Sequence, residues 1–532
     1  MKRRHFLLSA ALPTAAFSIQ PPEARPQRTA AFHFSLDEVT ISDLQRRMKQ
    51  GEISSHEICS RYLQRIEDID RRGPTLRAVI ETNPDALAIA RSLDEERRTK
   101  GPRSPLHGIP ILLKDNIETA DRMQTTAGSL ALLGEPARTD SWVAERLRTA
   151  GAVILGKTNL SEWANFRSTH STSGWSGRGG LTRNPYALDR NACGSSTGSG
   201  VAVSANFGVA AVGTETDGSV VCPSSICGIV GIKPTVGLIS RAGIIPISHS
   251  QDTAGPMART VRDAAILLGA LVSTDNRDSE TISNAGHTFT DYTQFLDTDG
   301  LRGARIGIAR QYFNISPAVN AVMEDCISLM RDSGAVIIDP ADLSSYESWR
   351  ESETEVLLYE FKADLNRYLA ARQAGVRSLA DCIAFNSTHR SVEMPYFEQE
   401  LMEQANAKGP LTDKAYRDAL ATSKRLTRKD GIDATMTKYK PDAIVAPTSG
   451  PAWITDLVDG DKADSGCASP PAVAGYPHIT VPAGSHFGLP FGISFFGSAW
   501  SEPKLLKIAY SFEQMRRARR KPQFLATVNL SA

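Results

Sequence analysis

Residues 194–232 decide the fold of this chain: GSSTGSGVAVSANFGVAAVGTETDGSVVCPSSICGIVGI. Glycine, serine and threonine dominate the stretch, which is typical of flexible linkers. Apolar segments nevertheless interrupt the small residues at 201–203, 209–212 and 229–232, and a linker has no reason to carry them. We therefore predict a buried core of strands and close-packed helices, in which glycine permits close backbone approach.

Two glycine-flanked serine clusters lie in this part of the chain, at residues 193–200 and 213–219. Glycines beside a serine leave its hydroxyl and the neighbouring N–H groups open to a substrate. A row of such N–H groups can bind the oxyanion of an acyl-transfer intermediate. A serine hydroxyl is a poor nucleophile at neutral pH and needs a base within hydrogen-bond reach. The clusters indicate acyl transfer but leave the base open.

Short apolar runs on both sides of this stretch predict buried strands of an α/β protein. They lie at residues 109–113, 153–155, 304–308, 336–338, 443–445 and 479–481. Helical spacing of apolar residues predicts helices over 38–72, 85–99 and 318–332, the first capped by Thr40 or Ser42. Residues 345–435 are expected to be mainly helical and to shape a substrate cleft.

Composition and motifs exclude several classes of partner. The net charge is +1, so there is no general field to recruit nucleic acid or an anionic membrane. The basic residues at 516–521 are typical of a helix C-terminus. The ten histidines show no metal-ligand spacing, and residues 213–218 lack the lysine of a phosphate loop. We expect no cofactor and no metal.

The N-terminus is predicted to be an export signal. An Arg-Arg-x-Phe-Leu pattern at residues 3–7 opens a short apolar run that ends near Ile19 and resembles a twin-arginine signal. The run is too short to span a hydrocarbon core of about 30 Å. We place the signal at residues 1–24, with Ala16 or Ala24 as the last residue removed. We expect a periplasmic or secreted protein with no stable membrane insertion after signal removal.

The chain has seven cysteines, and their spacings show no disulfide framework. Cys222 and Cys227 could pair in an oxidising compartment, and the sequence leaves that question open.

Other interpretations of the serines compete. Residues 194–198 formally match the Gly-x-Ser-x-Gly nucleophile elbow of α/β-hydrolases, with Ser196 as nucleophile and His249 or His478 as base. No strand clearly precedes that motif. Residues 501–504 match Ser-x-x-Lys without its companion motifs. A non-catalytic exported binding protein is a third alternative.

Three separated blocks resemble the amidase signature family: residues 106–116, 194–232 and 474–492. Weaker similarity between them covers most of the chain. The resemblance implies an α/β fold with a large mixed twisted central sheet covered by helices on both faces. It implies a single amidase domain over residues 33–522, with the helical region near 345–435 shaping the substrate site.

The resemblance also implies the catalytic roles. Ser219 would be the acylated nucleophile, Ser195 a bridging serine held by a cis peptide bond, and Lys114 the general base. The oxyanion hole would be formed by the backbone N–H groups of Thr216, Asp217, Gly218 and Ser219. A base must be neutral, whereas a free lysine titrates near about 10.4. Lys114 follows the apolar run 109–113, and burial there would lower its pKa.

Near the nucleophile the chain departs from the commonest family pattern, Thr-Asp-x-Gly-Gly-Ser. Glu215 replaces the aspartate, Asp217 replaces a glycine, and Val221 stands where an arginine is common. Asp217 brings a carboxylate beside the oxyanion hole, where it could repel an acidic substrate or hold a donor group. These departures resemble the bacterial peptide amidase branch, whose members remove the C-terminal amide of peptides. Further similarity to that branch lies at residues 231–237, 251–256 and 499–504.

We therefore predict an amidase that works through a Ser-Ser-Lys triad and an acyl-enzyme on a peptide amide or a similar small carboxamide. Aliphatic or aryl amides are alternative substrates. The glutaminase subunit of tRNA-dependent amidotransferases is similar over the same blocks, but it is cytoplasmic and works with partner subunits, so the leader argues against it. A monomer or homodimer without nucleic acid is expected.

Overall fold

The computed structural model describes residues 34–372, 375–462 and 466–530. The predicted export signal at residues 1–24 lies outside these ranges. From Leu36 onward the described chain forms one compact unit. Within the described ranges, no helix combines the length and the apolar character that a membrane crossing requires.

A mixed sheet of eleven strands forms the centre of the described chain, in the order β1-β3-β2-β6-β8-β7-β12-β13-β11-β9-β10, and β4 and β5 form a separate hairpin. The strands are β1 Val79–Thr82, β2 Pro110–Lys114, β3 Val153–Thr158, β4 Trp175–Ser176, β5 Gly180–Leu181, β6 Ala210–Glu215, β7 Val230–Lys233, β8 Thr253–Ala258, β9 Arg305–Ile308, β10 Val336–Ile338, β11 Ala443–Pro447, β12 His478–His486 and β13 Leu489–Phe496. The predicted mixed α/β fold is confirmed.

The α-helices of the described chain are α1 Ile41–Lys49, α2 Ser55–Arg65, α3 Ala86–Lys100, α4 Trp142–Thr149, α5 Thr197–Ser204, α6 Val221–Ile226, α7 Val261–Leu271, α8 Pro317–Asp332, α9 Arg350–Arg372, α10 Leu379–Thr388, α11 Arg390–Glu393, α12 Glu400–Asn406, α13 Lys414–Lys424, α14 Asp433–Tyr439, α15 Ser469–Ala474 and α16 Glu502–Arg516. Two π-helical segments, Ile66–Arg72 and Arg425–Ile432, extend α2 and α13.

The helix predicted over residues 38–72 is divided in the structure into α1, α2 and a π-helical segment. Thr40 is the N-cap of α1, and its side chain accepts from the Asp43 N–H group. It is one of the two predicted caps. Gly51 then adopts a φ of +72°, which an α-helix does not accommodate. Ser54 starts α2 by accepting from Glu57 N–H. Each helix has its own buried stripe, Leu44 and Met48 in α1 and Ile58 and Tyr62 in α2, so the apolar spacing predicts helix on both sides of the break.

The central stretch forms α5, β6, α6 and β7, as its interleaved apolar segments predict. α5 is completely buried along its length. A Cβ atom on Gly200 would lie 3.1 Å from the carbonyl oxygen of Pro223, which is on α6. The small residues therefore let the two helices approach closely in the core.

The register of β2 and β6 places the candidate residues together. These neighbouring strands are parallel, with Leu113 paired to Val212. Their carboxyl ends therefore lie at the same edge, where ligands commonly bind in α/β sheets. Lys114 ends β2 there, and the loop to Ser219 begins after Glu215.

The region 345–435 is mainly helical in the structure. Phe361, Leu365 and Leu369 of α9 belong to one buried apolar cluster with Trp163 and Ile245. This cluster attaches α9 to loops beside the catalytic edge of the sheet.

Candidate active site

Lys114 is the last residue of β2, and its side chain is completely buried. Its Nζ atom lies 2.7 Å from Ser195 Oγ and 2.9 Å from Thr214 Oγ1. Burial lowers the pKa of Lys114 to about 7, although the nearby carboxylates of Asp252 and Glu215 act in the opposite direction. A large fraction of Lys114 is therefore neutral near pH 7, as a general base requires.

Ser195 lies in the turn before α5 and is completely buried. The Gly194-Ser195 peptide bond is cis, as the family resemblance implies. The Ser195 carbonyl oxygen accepts from Ser161 N–H at 3.1 Å. A Cβ atom on Gly194 would collide with the Ser161 side chain, so only glycine allows this approach. The turn is thereby held with the Ser195 hydroxyl against Lys114.

Ser219 lies just before α6 and is 7% exposed. Its carbonyl oxygen accepts from Ser196 N–H at 3.1 Å, so the two serine clusters meet through the backbone. Among the described residues, one side-chain hydrogen bond joins two members of the predicted triad, and it runs from Lys114 to Ser195. The structure thus brings all three residues to one edge of the sheet.

The loop before Ser219 carries a row of backbone donors that have no acceptor in the described part of the chain. The Glu215 carboxylate accepts from Val220 N–H at 2.7 Å and from Val221 N–H at 3.0 Å. No described residue accepts a hydrogen bond from the N–H groups of residues 216–219. Gly218 adopts a φ of +75°, a conformation that favours glycine. The N–H groups that the oxyanion-hole prediction requires are therefore without an acceptor among the described residues, and the oxyanion hole stays a prediction.

Two buried side chains hold this loop at Thr216. Thr216 Oγ1 donates to Asp252 Oδ1 at 2.5 Å, and Gln251 Nε2 donates to the Thr216 carbonyl at 3.2 Å. Gln251 also donates to Glu353 Oε1 of α9 at 3.1 Å. The sequence contained no signal for these contacts, because the partners come from distant parts of the chain.

Asp217 forms a carboxyl pair with Glu353. The two carboxyl groups interact with each other, because the side chains lie close together in a buried site. Burial raises the pKa of both groups, and the Asp217 charge raises that of Glu353 further. The structure thus places two carboxyl groups with raised pKa values beside the candidate oxyanion hole.

Lys233 is a second functional candidate that sequence reasoning missed. It ends β7, is completely buried, and its pKa is lowered by burial to about 8. Burial raises the pKa of Glu215, and the Lys233 charge opposes that rise. Lys233 therefore favours the ionised Glu215 that holds the N-terminus of α6.

The structure contradicts the nucleophile-elbow interpretation. Ser196 is buried, and its Oγ atom donates to the Thr214 carbonyl at 2.9 Å and accepts from Thr214 N–H at 3.1 Å. His478 is buried against Ser494, and desolvation lowers its pKa to about 3. His249 lies 2.7 Å from Asp364 instead. Ser196 is thus committed to backbone contacts and has no histidine partner among the described residues.

A disulfide joins Cys193 to Cys222, with a Cα–Cα distance of 6.0 Å. The open question of Cys222 pairing with Cys227 is answered negatively, because Cys227 is a free, buried thiol beyond the other end of α6. Sequence spacing could not reveal the true pair, since the turn before α5 and the N-terminus of α6 meet only in the folded chain.

Comparisons with known proteins find relatives over most of the chain. A family model described as Amidase matches residues 57–506. The "Probable amidase" of Arabidopsis thaliana is 43% identical over 508 residues, which cover 93% of each chain. A glutamyl-tRNA(Gln) amidotransferase subunit of Thermoanaerobacter pseudethanolicus is 32% identical and covers 91% of this chain and 98% of its own.

Solved structures show the same fold. Native peptide amidase from Stenotrophomonas maltophilia is 52% identical with a TM-score of 0.89, covering 92% of this chain and 100% of its own. An amidase family protein from Bacillus anthracis is 36% identical with a TM-score of 0.83, covering 92% of this chain and 93% of its own. The chain belongs to the amidase signature family, it is an amide-hydrolysing enzyme, and its likeness to solved peptide amidases is consistent with the peptide amidase branch.

Proposed function

We propose that the enzyme removes the C-terminal amide of peptides, or hydrolyses a similar small carboxamide, through a Ser219-Ser195-Lys114 triad. The observation that carries the proposal is the hydrogen bond from the buried Lys114 to Ser195, in the turn that contacts the Ser219 backbone. A lysine with its pKa near 7 can accept a proton from a hydroxyl at physiological pH.

In the first half of the reaction, Ser219 Oγ attacks the amide carbonyl carbon. Its proton passes to Ser195, whose own proton passes to neutral Lys114. The carbonyl oxygen becomes an oxyanion, which the N–H groups of residues 216–219 stabilise. Collapse of this intermediate breaks the carbon–nitrogen bond, and the proton returns through Ser195 to the leaving nitrogen. Ammonia departs and an ester to Ser219 remains.

In the second half, the same relay takes a proton from water, which attacks the ester carbonyl. The second oxyanion uses the same donors and collapses to release the acid and the Ser219 hydroxyl. Each half therefore returns Lys114 to its neutral state, and the cycle needs no other proton donor.

Similarity to a solved peptide amidase at 52% identity over its whole length supports a peptide amide as substrate. The resemblance to the amidotransferase protein is weaker, with 26% identity and a TM-score of 0.65 for the solved Thermotoga maritima structure. Aliphatic and aryl amides are the competing substrate classes. We propose that the enzyme acts as a monomer or homodimer without an amidotransferase partner.

Export through the twin-arginine-type leader at residues 1–24 is a further part of the proposal. The Cys193–Cys222 disulfide supports it, because disulfides persist in oxidising compartments outside the cytoplasm. Fractionation of cells that express the full chain should place mature protein outside the cytoplasm, and a variant with both Arg3 and Arg4 changed to lysine should remain inside.

Labelling with a fluorophosphonate followed by peptide mapping tests the nucleophile. The adduct should be on Ser219 and should be absent from Ser219→Ala. An adduct on Ser196 would support the elbow interpretation, and no adduct would support a binding protein. Rates on peptide amides, free glutamine, aliphatic amides and aryl amides then rank the substrate classes, and equal or greater activity on glutamine would contradict the peptide-amide assignment.

A further inference from the structure

The disulfide connects the two segments that carry the catalytic serines. Cys193 lies two residues before Ser195, and Cys222 lies three residues after Ser219. It is the covalent cross-link between these segments in the described chain. The backbone hydrogen bond from Ser196 to Ser219 and the close approach of Gly200 to Pro223 also join the two segments.

Each cysteine is fixed within its own catalytic segment. Cys193 has a φ of +58°, which is uncommon for a residue other than glycine. Its N–H group donates to Asn191 Oδ1 at 2.6 Å, and its carbonyl accepts from Thr197 Oγ1 at 2.5 Å. On the other side, Cys222 N–H donates to the Gly218 carbonyl at 2.8 Å. A displacement of either sulfur atom therefore also displaces the turn that holds a catalytic serine.

We propose that Cys193 and Cys222 are positioning residues, whose disulfide holds the Ser195 turn and the Ser219 turn in the arrangement that the proton relay requires. This inference rests on the proposed roles of the two serines. Reduction of the disulfide lowers kcat, because proton transfer between two hydroxyl groups depends steeply on their separation.

The two segments respond unequally to reduction. The Ser195 turn remains anchored by Ser161 N–H and by the hydrogen bond to Lys114. The turn at Ser219 keeps the hydrogen bonds to Asp252 and Glu215. It begins a helix of only six residues, α6, which loses its covalent anchor at Cys222. Substrate contacts made by other parts of the chain are unchanged. Reduction therefore weakens the chemical step more than substrate binding.

A small dithiol can reach the bond from the side of Cys222, which is half-buried, whereas Cys193 is 7% exposed. One thiolate of the reductant attacks Cys222 Sγ, and the sulfur–sulfur bond breaks with Cys193 leaving as a thiolate. The second thiol of the reductant then closes its own disulfide, and both cysteines end as thiols. Burial raises the pKa of the Cys227 thiol, so this thiol does not compete as an internal nucleophile.

The test begins with the wild-type enzyme purified in its oxidised form. Digestion without reductant should yield a peptide pair cross-linked through Cys193 and Cys222. Reduction with dithiothreitol, checked by alkylation of both cysteines, should lower kcat on a peptide amide by about 10- to 100-fold with little change in KM. Re-oxidation with glutathione disulfide should restore kcat.

Two variants provide the controls. The double variant C193S/C222S should have the low kcat of the reduced enzyme and should not respond to dithiothreitol. Cys326→Ala changes a free, buried cysteine of α8 and should keep both the wild-type kcat and the response to reductant. The rate of fluorophosphonate labelling at Ser219 is measured in parallel, since it reads the positioning of the nucleophile independently of the amide substrate.

A reduced enzyme that keeps the kcat and labelling rate of the oxidised form would overturn the proposal. Free thiols at both positions in the untreated enzyme would also overturn it. A loss of activity that accompanies global unfolding in circular dichroism would overturn it as well, because the disulfide would then stabilise the whole fold and not the arrangement of the two serines. If oxidised enzyme hydrolyses no amide, the proposed function fails, while the labelling rate still decides the positioning role.

Discussion

Two buried lysines on neighbouring strands differ in the partners that receive their hydrogen bonds. Lys114 ends β2 and contacts the Ser195 hydroxyl, whereas Lys157 of β3 contacts the Ile117 carbonyl and Thr125 Oγ1, both at 2.7 Å. Burial lowers the pKa of Lys157 to about 8 and that of Lys114 to about 7. Desolvation alone thus does not distinguish a base from a structural lysine.

The sheet separates the two lysines. Lys157 is paired with Leu113, the residue before Lys114, and successive residues of a strand point to opposite faces. Lys114 therefore lies on the face of Ser195, and Lys157 lies on the other. Each lysine has a hydroxyl partner, Ser195 for Lys114 and Thr125 for Lys157. The Ser195 hydroxyl belongs to the turn that is hydrogen-bonded to the Ser219 backbone, so the position of the partner determines which lysine can act in the relay.

Removal of each ammonium group in turn should show the largest difference in activity between the two lysines. We expect Lys114→Ala to lower kcat/KM on the best amide by about 10²- to 10⁴-fold, the usual contribution of a general base. Lys157→Met should keep kcat but lower the melting temperature, since two buried acceptors lose their donor. Steady-state kinetics and thermal unfolding measure both effects. Comparable losses of kcat in the two variants would contradict the distinction.

The next largest effect should come from the serine that receives the Lys114 hydrogen bond. Ser195→Ala should lower kcat by about 10²-fold or more, because the relay between Ser219 and Lys114 is interrupted. The matched variant is Ser199→Ala in the helix that follows, whose hydroxyl contacts Thr158 at 2.7 Å. It should retain kcat. Equal rates for the two variants would show that no serine bridge is required.

A smaller, graded effect should appear in the pH profile. Lys114 must be neutral to accept a proton, so kcat/KM should rise by about tenfold per pH unit below the pKa of Lys114 and level off above it. Since that pKa is lowered to about 7, the midpoint should lie near neutrality. A profile that is flat from pH 5 to 9 in a substrate with no titratable group would contradict a lysine base.

The smallest effect should follow from a change in the charge near Lys114. Burial raises the pKa of Asp252 to about 6, so it is partly ionised at neutral pH and raises the pKa of Lys114. Asp252→Asn should therefore move the midpoint of the pH profile down by a fraction of a unit. Asp115→Asn, beside Lys157, is the matched variant and should move it less. An upward shift in Asp252→Asn would contradict the assignment of the midpoint to Lys114.

The candidate site was predictable where its residues lie in local sequence blocks. Lys114, Ser195 and Ser219 stand in three motifs, and the glycines around them accompany the serines in the chain. The role of Glu353 was not predictable, because it reaches the loop from a helix whose sequence contains no spacing signal. Gln251 stands in the block 251–256 that resembles the peptide amidase branch, but its contact with Thr216 was not predictable from that block. The partner of Cys222 was missed for the same reason.

The sequence by itself determined the α/β class and the buried central stretch, because local composition and motif spacing encode strands and close-packed glycines. The candidate triad came from the resemblance of three sequence blocks to the amidase signature family. Only the tertiary structure decided which lysine faces a serine hydroxyl, which cysteines join, and which carboxyl groups lie together near the nucleophile. These properties depend on distances between segments far apart in the chain, and on the loss of water around them, and neither is expressed in the order of the residues alone.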